Sequence, residues 1–192
     1  MYENGHDVAF YMCHDQINAL TTDYVSRDHD YDAILGCQDS TIRVVAGSDL
    51  VAEIAAAAPV TALSSLTLDE AKVRGGSHGT AIVYGMENGA IATTALRNGT
   101  SANSPRRDAW HIRDESISKS AVNVLRVHDI TQDGVGEVIV GRNDGRMEVY
   151  VCENGGAHAV PQKAFARDLG ESIRSVDCGK VNSTDFNEVM RR

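Results

Sequence analysis

The sequence has no apolar run long enough to cross a bilayer. Its longest, around Ala55 to Pro59, falls far short of the roughly 20 residues a spanning helix needs. No segment carries a sustained 3.6-residue apolar stripe, so no long amphipathic helix is expected. Cys13, Cys37, Cys152 and Cys178 include no C-x-x-C pair and no histidine at zinc-finger spacing, which leaves buried, reduced thiols as the expectation. Basic residues are outnumbered, 18 Lys and Arg against 27 Asp and Glu. The net charge of −9 with scattered arginines argues against a nucleic-acid partner. There is no G-x-S-x-G elbow, no H-E-x-x-H pair and no phosphate loop, so no enzyme and no catalytic residue is expected. The opening "MYENGHDVAFYM" lacks a basic and apolar leader, so cytoplasmic residence is the default.

What the sequence does contain is a repeat. "AILGCQDSTIRVV" (Ala33 to Val45), "AIVYGMENGAIAT" (Ala81 to Thr93) and "VIVGRNDGRMEVY" (Val138 to Tyr150) superpose without a gap. Gly36, Gly85 and Gly141 coincide, as do Asp39, Asn88 and Asp144, followed by apolar residues at every second position. That alternation is the signature of strands, and Asn88-Gly89 and Asp144-Gly145 predict type I′ hairpin turns, with Asp39-Ser40 a weaker copy. Each hairpin is preceded by a further alternating segment starting at Gln16, Pro59 and Ala121. A fourth segment, from Glu171, leads into "FNEVM".

A period of roughly 50 residues with several strands each predicts a β-propeller of four-stranded antiparallel blades. The expected units run roughly over 8–54, 59–97, 108–152 and an incomplete 165–192. The chain is thus read as all-β, a partial β-propeller of about three and a half blades. Such a piece leaves edge strands and interblade faces open, so self-association of the isolated fragment is expected. Leu68 to Ser77 and Asn98 to Lys119 read as polar insertions, with an outer strand running through Trp110 and Ile112 as one reading of the second. The sequons at Asn98 and Asn182 and the Asp28-His29-Asp30 cluster read as turns and solvated loop.

One acid cluster has two readings. Asp129, Thr131, Asp133 and Glu137 follow the order of the calcium loops in integrin-type propellers, with Thr131 and Glu137 departing from the usual residue types. Asp129, Asp133 and Glu137 are therefore a candidate weak calcium site, and a calcium-binding propeller of adhesion type is the alternative function. In the other reading Asp129 and Asp133 bond their own turn, Gly134 and Gly136 supply unusual φ angles, and Glu137 opens the next strand. A propeller enzyme or lectin-like binder would instead need polar residues converging on the central channel.

"CQDSTIRVVAGSDLVAEI" followed by "PVTAL", and "DGVGEVIVGRNDGRMEVY" followed by "ESIRSVDCGKV", resemble the N-terminal propeller of the Bardet-Biedl syndrome 7 family of BBSome subunits. The resemblance runs in order from about Tyr11 to Val189. It implies a seven-bladed ring followed by an appendage-like β domain and helical segments. It further implies a non-enzymatic scaffold in a coat-like adaptor that moves membrane proteins to and from cilia or flagella. The implied partners are the other BBSome subunits and, through the complex, an Arf-like small GTPase and membrane-protein cargo. The implied location is the cilium or flagellum and basal body region, peripheral at membranes, and no cofactor is implied.

Overall fold

The computed structural model describes residues 2–3, 6–7, 10–25, 31–68, 79–96, 108–112, 120–152, 160–179 and 188–191, and all regular structure among them is β. Strands β1 (Tyr2–Glu3) and β2 (His6–Asp7) form a short hairpin. The first four-stranded sheet is β3 (Ile17–Asp23), β4 (Asp32–Cys37), β5 (Thr41–Ala46) and β6 (Asp49–Ala55). The second is β7 (Val60–Leu68), β8 (Gly79–Met86), β9 (Ile91–Leu96) and β10 (Asp108–Ile112). The third is β11 (Val122–His128), β12 (Glu137–Arg142), β13 (Arg146–Val151) and β14 (Gln162–Asp168). β15 (Val176–Gly179) and β16 (Glu188–Arg191) pair as the start of a fourth. Every sheet is an antiparallel meander in chain order, the all-β partial propeller that the repeat predicts.

The unit boundaries differ from those of the repeat. Trp110 lies on β10, which pairs with β9, so residues 108–112 close the second sheet rather than open the third. Likewise β14 pairs with β13, so residues 162–168 belong to the third sheet and not to the fourth unit. For β14 the reason is physical: it faces solvent and lacks an apolar pattern. β14 is exposed at every position, whereas β12, enclosed between neighbouring sheets, is buried at every position. Most of both expected insertions, the two sequons and the Asp28 cluster lie outside the described residues.

The hairpin turns also differ from expectation. Each turns through three residues, and only the third is left-handed: Ser40 (φ 64°), Gly89 (φ 83°) and Gly145 (φ 88°). Gly89 N donates to Met86 O at 3.0 Å and Gly145 N to Arg142 O at 3.2 Å. A type I′ turn would need positive φ at Asn88 and Asp144 as well. Instead, their side-chain oxygens accept from Ala90 N and Arg146 N, both at 3.1 Å, which holds the preceding backbone in an ordinary turn.

The core lies between sheets. One apolar cluster, with Ile34, Ile42 and Val44 meeting Ile82, Tyr84 and Met86, joins the first two sheets. A second joins Val83 and Trp110 to Val138, Val140 and Tyr150, and a third joins Ile139 to Ile173 and Val176. At each junction a residue of the next unit stands on a glycine of the one before. A Cβ on Gly36 would lie 2.6 Å from Val60 Cγ1, on Gly85 2.2 Å from Val122 Cγ1, and on Gly141 2.6 Å from Ile173 Cγ2. The repeated glycine is therefore a socket for the neighbouring sheet.

Candidate functional site

Three arrangements carry the chemistry of this chain, and each is built from repeated positions. The innermost strands β3, β7 and β11 pack successively against one another. Each contains a bulge, at Asn18, Thr61 and Asn123, where the ladder skips one residue. These residues and Arg174 line a groove of about 450 Å³, with Gln38, Glu87 and Asn143 of the adjoining hairpin turns. The bulge side chains reach into the next unit: Thr61 Oγ1 donates to Val122 O at 2.6 Å, and Asn123 Nδ2 to Ile173 O at 3.2 Å. Asn123 Nδ2 also reaches Ser172 Oγ at 3.0 Å, and Asn18 Nδ2 donates to Gln38 Oε1 at 2.9 Å. The polar residues at this channel mouth thus tie sheets together, a role the sequence reading did not assign. Their signal was an apolar–polar–apolar triplet early in each inner strand: Ile17-Asn18-Ala19, Val60-Thr61-Ala62 and Val122-Asn123-Val124.

The acid loop between β11 and β12 brings Asp129, Asp133 and Glu137 together, with one carboxylate oxygen of each within 4.8 Å of the others. Their oxygens receive the loop's own donors. Glu137 is almost fully buried and accepts from Ile130 N at 2.7 Å, Thr131 N at 3.3 Å and Thr131 Oγ1 at 3.0 Å. Asp129 accepts from Asp133 N at 3.1 Å and Gly134 N at 2.9 Å, and Asp133 from Val135 N at 2.8 Å. Positive φ occurs at Gln132 and Gly134 but not at Gly136, whose missing side chain makes room for Val127, 2.7 Å from where a Cβ would lie. A sister loop repeats the device. Asp32, buried at the start of β4, accepts from Val25 N at 2.9 Å across the same seven-residue span as Glu137 and Ile130. A buried acid opening the second strand therefore accepts from a backbone N–H seven residues earlier in two units. Calcium takes six to eight oxygens, whereas these carboxylates already serve N–H groups.

The third arrangement is a buried ion cluster. Arg142 Nε pairs with Glu148 Oε2 at 2.7 Å, both nearly inaccessible, and Tyr150 Oη donates to the same oxygen at 3.1 Å. Arg142 Nη1 also donates to Gly89 O at 2.8 Å in the second sheet's turn, so the cluster spans the junction. Burial, then the Glu148 charge, pushes the Tyr150 phenol up to about 12. At the equivalent surface of the first sheet, Arg43 pairs with Asp39 and, at 2.9 Å, with Glu53. The guanidinium holds the Asp39 carboxyl below its ordinary range. Both clusters fall within the two motifs quoted above; the Arg142–Glu148 pair is interior, whereas Arg43 is half-buried and its partners Asp39 and Glu53 are exposed.

A family model described as BBS7 beta-propeller matches residues 1–191. The chain is 29% identical over 184 residues to the BBSome complex member BBS7 of Mus musculus, covering 96% of this chain and 24% of that protein. It is 25% identical over 193 residues to the BBSome complex member bbs-7 of Caenorhabditis elegans, covering 98% and 24%. The chain thus spans about a quarter of the length of the curated relatives it matches. Among solved structures, BBS1N in complex with ARL6DN matches with a TM-score of 0.60 at 12% identity, covering 97% of this chain and 56% of that one, a likeness of fold.

Proposed function

This chain belongs to the BBS7 beta-propeller family, and on that premise we propose that it serves as a non-enzymatic, protein-binding scaffold within a BBSome. The observation that carries the reading is the family match over nearly the whole chain. The geometry supports it: buried polar groups are spent on locking sheet to sheet, which makes a rigid platform for loops on the two faces. Phe10, Met12 and Leu20 present apolar surface to solvent, which suits contact with further protein. The proposed partners are the other BBSome subunits, with an Arf-like small GTPase and membrane-protein cargo reached through the complex. What supports the GTPase is the family resemblance, beside the likeness of fold to BBS1N, which is described in complex with ARL6DN. The proposed setting is trafficking of membrane proteins to and from cilia or flagella. No helix among the described residues is long and apolar enough to cross a membrane, in keeping with peripheral attachment through the complex.

The test is recovery of partners on tagged full-length protein from ciliated cells, with calcium or chelator present. The scaffold reading expects the other BBSome subunits in both conditions. Recovery of none of them overturns it, and recovery only with calcium, lost in Asp133→Ala, moves the function to the calcium-dependent alternative.

A further inference from the structure

Two cysteines 24 positions apart in the chain meet at one surface of the first sheet. Cys13 Sγ lies 3.8 Å from Cys37 Sγ, and Arg43 Nη1 lies 3.8 Å from Cys13 Sγ. Cys37 is fully buried on β4 and Cys13 half-buried on the segment before β3, where Tyr11 and Cys13 pack over Leu35, Cys37 and Val45. By the repeat register Cys37 corresponds to Met86 and Arg142, which face the preceding sheet in the second and third units. In the first unit that seam is covered by residues 11–13.

We propose that Cys13 and Cys37 are a redox modification site, converted by a hydroperoxide into a disulfide that fastens the segment before β3 onto the first sheet. Access and contact assign the roles. Cys13 is reachable from solvent whereas Cys37 is buried, so Cys13 meets the oxidant and attacks first. Burial raises the Cys37 thiol above its ordinary value, which suits a resolving group that reacts second. In the first step the Cys13 thiolate attacks an oxygen of the hydroperoxide and the O–O bond breaks. Cys13 becomes a sulfenic acid, and the departing oxyanion takes up the proton the thiol released. The Cys37 sulfur then attacks the sulfenyl sulfur, the S–S bond forms, and the hydroxide leaves with the Cys37 proton as water. The two thiols lose two electrons and the hydroperoxide gains them. Closing the 3.8 Å gap to a bond of about 2.05 Å asks for a side-chain rotation at half-exposed Cys13. A soft metal fits less well, because two thiols leave its coordination incomplete and the guanidinium opposes a cation.

The experiment exposes the full-length protein to graded hydrogen peroxide, blocks free thiols with N-ethylmaleimide and maps non-reduced peptides by mass spectrometry. The expected result is a Cys13–Cys37 linked peptide, reversed by dithiothreitol and absent in Cys13→Ser, while Cys152 and Cys178 stay alkylated. Alkylated Cys37 beside Cys13 oxidised to sulfinic acid would overturn the assignment of roles and the proposal with it.

Discussion

Val122 stands on Gly85: a Cβ added to that glycine would meet Val122 Cγ1 at 2.2 Å. The same relation joins Val60 to Gly36 and Ile173 to Gly141, so one steric rule is used at three successive junctions. Bulge residues bond across the same seams, Thr61 to Val122 O and Asn123 to Ile173 O.

Gly85→Ala is accordingly expected to destabilise the protein by about 1–3 kcal/mol, the usual cost of overpacking a close-packed interior. Val122→Ala relieves the clash, so the double variant should lose less than the sum of the singles. Denaturant unfolding of the four proteins measures this, and strict additivity would show that the two residues do not press on each other.

Ser40 holds the left-handed position that Gly89 and Gly145 occupy in the other turns. A non-glycine residue there costs about 1–2 kcal/mol, partly offset by the entropy glycine loses on folding. Ser40→Gly should therefore stabilise by about 0.5 kcal/mol, read as a rise in Tm of about 1–2 °C. A fall in Tm would mean that the Ser40 side chain contributes more than its backbone strain costs.

In the acid loop, calcium is expected to shift Tm by less than about 1 °C, since the carboxylates already accept from backbone donors. Glu137→Ala, which orphans the N–H groups of Ile130 and Thr131, should cost about 1–3 kcal/mol, and Asp133→Ala at the exposed side distinctly less. Differential scanning fluorimetry with calcium or chelator decides it: a large calcium-dependent rise abolished by Asp133→Ala would establish the metal loop.

Alkaline pH should destabilise the fold in two steps. The thiols of Cys152 and Cys178 are pushed up to about 11 from an ordinary value of 9.0, and the phenol of Tyr150 to about 12 from 10.0. In each case burial comes first, followed by a neighbouring carboxylate: Glu137, Asp177 and Glu148 respectively. Each group ionises first in the unfolded chain, so its stabilising contribution is complete below the unfolded value and disappears as pH rises through the folded one. The thiols lose theirs between about 9 and 11 and the phenol between about 10 and 12, the latter costing roughly 2–3 kcal/mol. Unfolding free energies measured from pH 8 to 11.5 should fall, with a shallower slope above pH 10 in Tyr150→Phe. An unchanged slope in that variant would remove Tyr150 from the account.

Much of the fold was legible because it is written in local chemistry. Short apolar runs mark β4, β8 and β12, period-two alternation marks the strands after the turns, β5, β9 and β13, and the repeated glycines and turn residues mark the hairpins between them. β14 was misplaced because a solvated edge strand such as "QKAFARD" carries no such pattern, and β10, whose Trp110 is buried, is likewise assigned to its sheet only by its pairing with β9. The turn type also escaped, since Asn88-Gly89 fits both a two-residue and a three-residue loop, and the closing pair of strand residues chooses between them.

The acid loop divides in the same way. Asp129, Asp133 and Glu137 were found from their spacing, but the direction of their donors was not, because it depends on how residues 129–136 fold back over Glu137. Arg142 with Glu148, Asn123 with Ile173, and Cys13 with Cys37 are farther from sequence reasoning still. Alternation and turn chemistry act between neighbours in the chain, so they settled the hairpin strands and the repeat, while the family was read from the resemblance of two quoted motifs. Which glycine receives which side chain, which carboxylate is buried and which thiols meet depend on sheets packing face to face, and tertiary structure alone decides those.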